Sequence, residues 1–378
     1  MVYSQICSWL DDFVDGNSPD ELLDVWDLTE WIEESEIIIL FEECILPTYK
    51  NKKSRDDATS ILKSLIWEYY LLRRDTSMKT VIADISGLER VKNLASCSQH
   101  SLNWHLEKYD LLTASEFYDT FGSSAARVNL IKNKVLKPLT DGIAPQTVFL
   151  SREDKLPATC WGNKYESVVR DIYSKVTNCS VFSKLGRIRH SELPNLAASP
   201  DGIVESGDRA GRLLEIKAPI SRQLEDEIIP GQYYCQIQIQ LEVCNLEAAD
   251  YCECKLEIVK NGAWKTEKDV PLLIGAVAVI GDAEDYTSWS YVYSPLFENT
   301  KSGRELATAW VPESSGTVLE LSSWQITEWQ LITVKRNNRW WTAEGLPDYY
   351  RFWKDVYTAR RNPSCLLEDI PKEPLFID

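Results

Sequence analysis

The stretch Ser199-Pro200-Asp201-Gly202-Ile203-Val204, followed shortly by Leu213-Leu214-Glu215-Ile216-Lys217-Ala218-Pro219, limits this chain more than any other part of it. Pro and Gly break the first run into a hairpin-like polar connection with an apolar end. The second run reads as a strand, and side chains alternate across a strand, so Glu215 and Lys217 share one face while Leu214, Ile216 and Ala218 point into a core. Asp201, on the preceding strand, is expected to reach the same spot across the ladder. Two carboxylates and an ammonium then converge at a strand end, where a hard divalent cation such as Mg²⁺ could rest on oxygen ligands. Such an ion favours phosphodiester hydrolysis by stabilising phosphate charge and acidifying a bound water, which Lys217 would orient or deprotonate. Glu-x-Lys alone is weak, and a decoy stands at Glu253-Cys254-Lys255. The bland alternative is a surface hairpin carrying an ion pair, which the apolar flanks disfavour.

Composition sets the outer limits. A chain of 378 residues, 44% hydrophobic and 26% charged, has enough apolar material for one large or two ordinary domains, which excludes disordered and fibrous classes. Its longest uncharged apolar run, Val270 to Gly281, is well short of the roughly 20 residues a membrane helix needs, and its first residues carry Asp11, Asp12 and Asp15 rather than a basic leader. The expectation is an intracellular protein of the cytoplasm or nucleus, without signal peptide or membrane span. Ten scattered cysteines fit buried thiols in a reducing compartment better than a disulfide framework. The net charge of -17 is uneven: residues 1–48 hold 13 Asp/Glu and no Lys/Arg, leaving 45 acidic against 41 basic residues over 49–378. A local basic groove for nucleic acid therefore stays compatible with the acidic total.

Helical spacing is expected over Ile6–Leu46 and again over Thr59–Arg74, ahead of a Ser- and Asn-rich loop. Mixed helix and strand signals over about 104–260 point to an α/β core. Strands are predicted at Pro271–Ile280, Trp289–Tyr293 and Trp329–Val334, and a last helix with the stripe Tyr349, Tyr350, Trp353, Val356 and Tyr357 stops at Asn362-Pro363. With only His100, His105 and His190 and no Cys-x-x-Cys pair, zinc and iron-sulfur sites are not expected, nor is a nucleotide-driven motor, since no P-loop occurs.

From about Trp104 to Lys255 these motifs together resemble the PD-(D/E)XK nuclease superfamily, and within it the phage lambda 5′ exonuclease group, also called the YqaJ-like viral recombinase nucleases. Cys160-Trp161-Gly162-Asn163-Lys164-Tyr165-Glu166 resembles the family's helix that supplies a further carboxylate, Glu166, with Tyr165, Val168, Val169 and Ile172 on its buried side. Trp104–Lys108 and Leu112–Phe117 resemble the segment that holds a terminal 5′-phosphate, with Lys108 and Ser115 at the matching positions; lysine stands there where a compared relative has arginine. Gly231–Leu241 resembles the family's glutamine-bearing helix, although Gln-Ile-Gln-Ile-Gln-Leu alternates like a strand. As a helix it sets Tyr234, Ile237, Leu241 and Cys244 on one stripe and Gln232, Gln236 and Gln240 on another. Gln236 and Ser199 would then meet the nucleic acid. Ala249–Glu257 follows as the next core strand, with Cys252 and Cys254 as buried thiols.

The resemblance implies a restriction-endonuclease-like core, a central mixed β-sheet flanked by helices, with a helical N-terminal region and a strand-rich C-terminal extension. The corresponding division is an acidic region over 1–100 and a nuclease domain over 101–378, with its core at about 104–260 and the extension at 261–378. It implies catalysis by Glu166, Asp201, Glu215 and Lys217, with Mg²⁺ or Mn²⁺ held by Asp201, Glu215, the Ile216 carbonyl and Glu166. The implied activity is 5′ to 3′ degradation of linear duplex DNA to leave 3′ single strands for recombination or repair. Double-stranded DNA, a single-strand annealing protein and a ring-shaped homotrimer are the implied partners. Two alternatives stay open: an endonuclease or RNA-degrading enzyme using the same carboxylates, and a binding module that has lost the chemistry.

Overall fold

The computed structural model describes residues 52, 83–94, 106–121, 124–136, 158–224, 228–285, 289–313 and 316–362. The helices expected over Ile6–Leu46 and Thr59–Arg74 lie outside these residues. In chain order the principal elements are α1 (Ile85–Lys92), β1 (Leu112–Thr113), α2 (Ala114–Phe121), α3 (Ser124–Val135), α4 (Ala158–Thr177), β2 (Val181–Phe182), β3 (Ile188–Arg189), β4 (Leu196–Ala198), β5 (Gly202–Val204) and β6 (Leu213–Lys217). Then follow α5 (Gly231–Cys244), β7 (Ala248–Ile258), β8 (Leu273–Gly281), β9 (Ser290–Tyr293), β10 (Phe297–Glu298), α6 (Lys301–Ala309), β11 (Thr317–Lys335) and α7 (Leu346–Arg361). Among the described residues these make the expected mixed α/β arrangement, with a large sheet ordered β10-β8-β11-β7-β6-β5-β2, β9 pairing β8, and a small sheet ordered β1-β4-β3.

β6 lies inside the large sheet, parallel to β7 and antiparallel to β5. That position explains why its residues from Leu213 to Ile216 are all buried, because a strand covered on both faces has no side left for water. One face meets α4, whose Trp161, Tyr165, Val168, Val169, Ile172 and Tyr173 pack with Leu214, Ile216, Cys252, Cys254 and Leu256. The other face meets α5, whose Ile237, Leu241 and Cys244 pack with Leu213, Ala249 and Tyr251. Cys252 and Cys254 are fully buried, and burial raises the pKa of both thiols, so they serve as core residues.

The alternating glutamines of α5 do not form a strand because the helix is enclosed nearly all round. Ile237 and Ile239 are both fully buried, and Gln238 closes its amide by donating to the Lys335 carbonyl and accepting from the Asn337 N–H. Pro230 precedes the first turn, and Asn245, in the left-handed region at φ 48°, ends the helix with its N–H on the Leu241 and Glu242 carbonyls.

Three expectations need correction. The Ser- and Asn-rich loop expected after Arg74 contains a helix, α1, capped by the Asp84 carboxylate on the Gly87 N–H. Ser199–Val204 is not a simple hairpin connection: β4 belongs to the small sheet and β5 to the large one, so the polar residues between them carry the chain from sheet to sheet. The hairpin is β5–β6, tightened by Gly211 at φ +88°, where a Cβ would stand 2.3 Å from the Asp84 carbonyl oxygen. In α7 the buried stripe is Tyr349, Phe352, Trp353, Val356 and Ala359, while Tyr350 and Tyr357 are exposed. The helix packs against α2 and α3, with Phe352 and Ala359 taking the buried places in the shared core, and a π-helical turn at Trp341–Gly345 precedes it. No helix of the described residues is long and apolar enough to cross a membrane.

Candidate active site

The C-terminal end of β6 opens into a cleft of about 570 Å³ lined by Glu166, Ser199, Asp201, Glu215, Ile216 and Lys217, with Arg222, Tyr233 and Gln236 also on its wall. Pairing of β5 with β6 places Asp201, the residue before β5, against the middle of the next strand. Its Oδ2 accepts the Ile216 N–H at 2.8 Å. Glu215 is 1% exposed, because α5 covers the face that it shares with Lys217. Its Oε1 accepts from Lys217 Nζ at 2.5 Å and from Gln236 Nε2 at 2.6 Å, and its Oε2 accepts from Gln240 Nε2 at 2.6 Å. Glu166 enters from α4 on the other side of the sheet, with Arg170 one helical turn on as its charge partner.

Electrostatics bind these groups into one unit. Burial, then the Glu215 and Glu166 charges, push the Asp201 carboxyl well above the usual carboxylate range. Glu166 is raised too, by burial and by Glu215, against the lowering influence of Arg170 and Lys217. Burial by itself would depress Lys217, but Glu215 and Asp201 outweigh it and hold the ammonium above its ordinary value. The ammonium also sits 4.6 Å from the Tyr233 ring centroid, a favourable cation–π distance.

Among the described residues no group of three His, Cys, Asp or Glu side chains is drawn together as an ion would hold it. The acid oxygens instead rest on Lys217, Gln236, Gln240, Arg170 and the Ile216 N–H. The donor set nevertheless fits a hard divalent cation: like-charged oxygen donors share one cleft, and their repulsion raises the proton affinity of Asp201 and Glu166, a cost that a cation relieves.

Seven sequence-predicted positions, Glu166, Ser199, Asp201, Glu215, Ile216, Lys217 and Gln236, therefore line this cleft. Lys108 and Ser115 are not among its described lining residues. They belong to a second polar cluster around Glu116, which accepts from Lys134 Nζ at 2.8 Å and pairs with Lys108 Nζ at 3.3 Å. There Ser115 Oγ lies 3.3 Å from Thr113 Oγ1. Burial depresses the Lys134 amine, although Glu116 opposes the shift.

Sequence reading gives no role at the site to Gln240, Arg170, Tyr233 and Arg222. Two had a signal: Gln240 is four residues beyond Gln236, and Arg170 four beyond Glu166, each one turn along the same helix face. Tyr233 and Arg222 had none, since their positions depend on how the loop after β6 returns to α5.

Residues 103–247 match the profile of the YqaJ-like viral recombinase domain. An uncharacterized protein of Acanthamoeba polyphaga mimivirus is 29% identical over 350 residues, covering 80% of this chain and 59% of that protein. The chain thus spans well under two thirds of the length of that relative. Among solved structures, the alkaline exonuclease LHK-Exo of Laribacter hongkongensis is similar at 17% identity and a TM-score of 0.43, over 70% of this chain and 96% of that one. A phage-related exonuclease of Haemophilus somnus is similar at 11% identity and a TM-score of 0.33, over 69% and 96%.

Proposed function

We propose, from the match of residues 103–247 to the YqaJ-like viral recombinase domain, that the chain is a divalent-metal-dependent deoxyribonuclease, a 5′ to 3′ exonuclease acting on linear double-stranded DNA. The observation that carries the reading is the meeting of Asp201, Glu215 and Lys217 from one hairpin with Glu166 from α4 in a single cleft. Asp201, Glu215, Glu166 and the Ile216 carbonyl would hold Mg²⁺ or Mn²⁺. Bound there, the ion would stabilise charge on the scissile phosphate and lower the pKa of a coordinated water.

The chain's own groups supply the rest. Gln236 and Gln240 fix the Glu215 carboxylate through both oxygens, so it cannot turn away from the cleft. Lys217 keeps its ammonium charged through Glu215 and Asp201 and would donate to the attacking water or to a phosphate oxygen. Ser199 and Gln236 would contact the phosphate backbone from the cleft wall. The Lys108 and Ser115 cluster is the candidate holder of a terminal 5′-phosphate, with lysine acting as a point charge. A 3′ single-stranded product, a single-strand annealing partner and a ring-shaped homotrimer belong to the same proposal. So does a nuclease domain over 101–378.

The test is digestion of blunt linear duplexes, with and without a 5′-phosphate, in Mg²⁺, in Mn²⁺ and in chelator, with Lys217→Ala as control. Metal-dependent loss of the 5′-phosphorylated strand by the wild-type protein alone is the expected result. Cleavage of closed circles would replace the exonuclease by an endonuclease, and digestion unaltered in Asp201→Ala would remove the catalytic role of this cleft.

A further inference from the structure

Beside the proposed catalytic groups stands a cation that their chemistry does not use. Arg222 lines the same cleft and is 36% exposed, yet its guanidinium is tied to Glu253, which is fully buried on β7. In the parallel ladder Glu253 is the direct neighbour of Lys217, so both side chains leave the sheet on one face. Gln330 Nε2 holds the other oxygen of Glu253 at 2.7 Å. Tyr233 completes the arrangement, with its ring centroid 4.6 Å from Lys217 Nζ and 5.7 Å from Arg222 Cζ. Just beyond, the Leu224 N–H donates to Glu328 Oε2 at 2.6 Å, which pins the loop that carries the arginine.

A buried carboxylate needs a cation, and neutralising Glu253 could be the whole task of Arg222. The geometry points further. A guanidinium has five N–H donors in a rigid plane, and one carboxylate cannot use all of them. Anchored by Glu253 and set 5.7 Å from the Tyr233 ring centroid, the group lies at the cleft surface, where its remaining donors match the two oxygens of a phosphodiester. Resting on the nuclease reading above, we propose that Arg222 binds the backbone phosphate next to the scissile one, and that Glu253 is its positioning residue.

The experiment measures duplex DNA affinity by fluorescence anisotropy between 50 and 200 mM KCl, on an Asp201→Asn background that leaves the probe uncut. The double variant Arg222→Gln/Glu253→Gln leaves no buried charge unpaired. It should lower the salt slope of log affinity by about 0.9, one phosphate contact, so the affinity lost across this salt range shrinks roughly threefold. Glu253→Gln alone keeps the arginine and should keep the slope. In the cleaving protein the double variant should raise KM while kcat stays within about twofold. If the two variants share one slope and one KM, Arg222 is only a counter-ion and the proposal falls while the nuclease reading stands. If the wild-type protein neither binds nor cuts DNA, both fall. Should the double variant not fold, Arg222→Lys preserves the ion pair and removes the fork: a raised KM at unchanged slope is expected, and a wild-type KM overturns the proposal.

Discussion

Gly202 offers a way to move the Asp201 carboxylate without touching it. A methyl group at this position would stand 2.5 Å from Cγ1 of Val181 and 3.3 Å from the Phe182 carbonyl oxygen, both on the neighbouring strand β2. Carbon atoms rest at about 3.5–4.0 Å, so Gly202→Ala forces β5 and β2 apart by roughly 1 Å. Overpacking of this kind costs about 1–3 kcal/mol; at a urea slope of about 3 kcal/mol per molar, a 2 kcal/mol loss lowers the midpoint by about 0.7 M. Asp201 is the adjacent residue, its carboxylate fixed to the Ile216 N–H, and a displacement of about 1 Å in a catalytic group can cost on the order of a hundredfold in rate. Val181→Ala removes the clashing atom. The double variant Gly202→Ala/Val181→Ala should recover most of the turnover, measured as metal-dependent digestion of a linear duplex alongside urea unfolding. A single variant with wild-type midpoint and rate, or a double variant as slow as the single one, would refute the claim that β2–β5 packing sets the carboxylate.

Other outcomes follow from the same geometry. Gln240→Met removes the donor to Glu215 Oε2 but also the buried Gln240 Oε1, which has no hydrogen-bond partner, so stability should stay within about 1 kcal/mol while kcat falls more than tenfold; equal loss of both would show the residue to be merely structural. In chelator, the raised carboxyls of Asp201 and Glu166 mean that the folded state binds more protons than the unfolded one. Melting temperature should therefore fall as pH climbs above the ordinary carboxylate pKa of about 4, and Mg²⁺ or Mn²⁺ should flatten the slope; a melting temperature that rises over this range contradicts the reasoning. Tyr173→Phe deletes a 2.7 Å bond to the fully buried Asp250, which keeps Arg209, Arg212 and Thr333, so urea unfolding should register a loss of about 1 kcal/mol with KM unaltered.

The parts of the molecule visible in its sequence are those governed by local spacing. Period two along Leu213–Lys217 set Glu215 and Lys217 on one face, and period 3.6 along α4 identified its buried stripe beside Glu166. What stayed hidden depends on contacts between distant segments. The polar stripe Gln232, Gln236 and Gln240 was visible, but a row of glutamines looks alike whether it faces water or a buried carboxylate, and only the packing of α5 on β6 shows that Gln240 is fully buried. The crossing from β4 to β5 resembles a hairpin in the sequence because Pro-Asp-Gly signals a turn without saying which sheet each flank joins. The phase of α7 is hidden for a related reason: Tyr350 and Tyr357 count as apolar in a spacing pattern, and only the packing of the helix shows that Phe352 and Ala359 take its buried face.

The length of β11 has a practical consequence. Its nineteen residues pair first with β8 and then along the whole of β7, the strand that shields the parallel side of β6. A fragment cut to residues 103–247 would end just before β7, baring the backbone of β6 and the apolar residues around it. Such a piece is expected to precipitate or pair with copies of itself, so its inertness in an assay would say nothing against the cleft. Trimming from the far end is equally hazardous, because losing 317–335 strips β7 of its outer neighbour although no residue in that stretch lines the cleft.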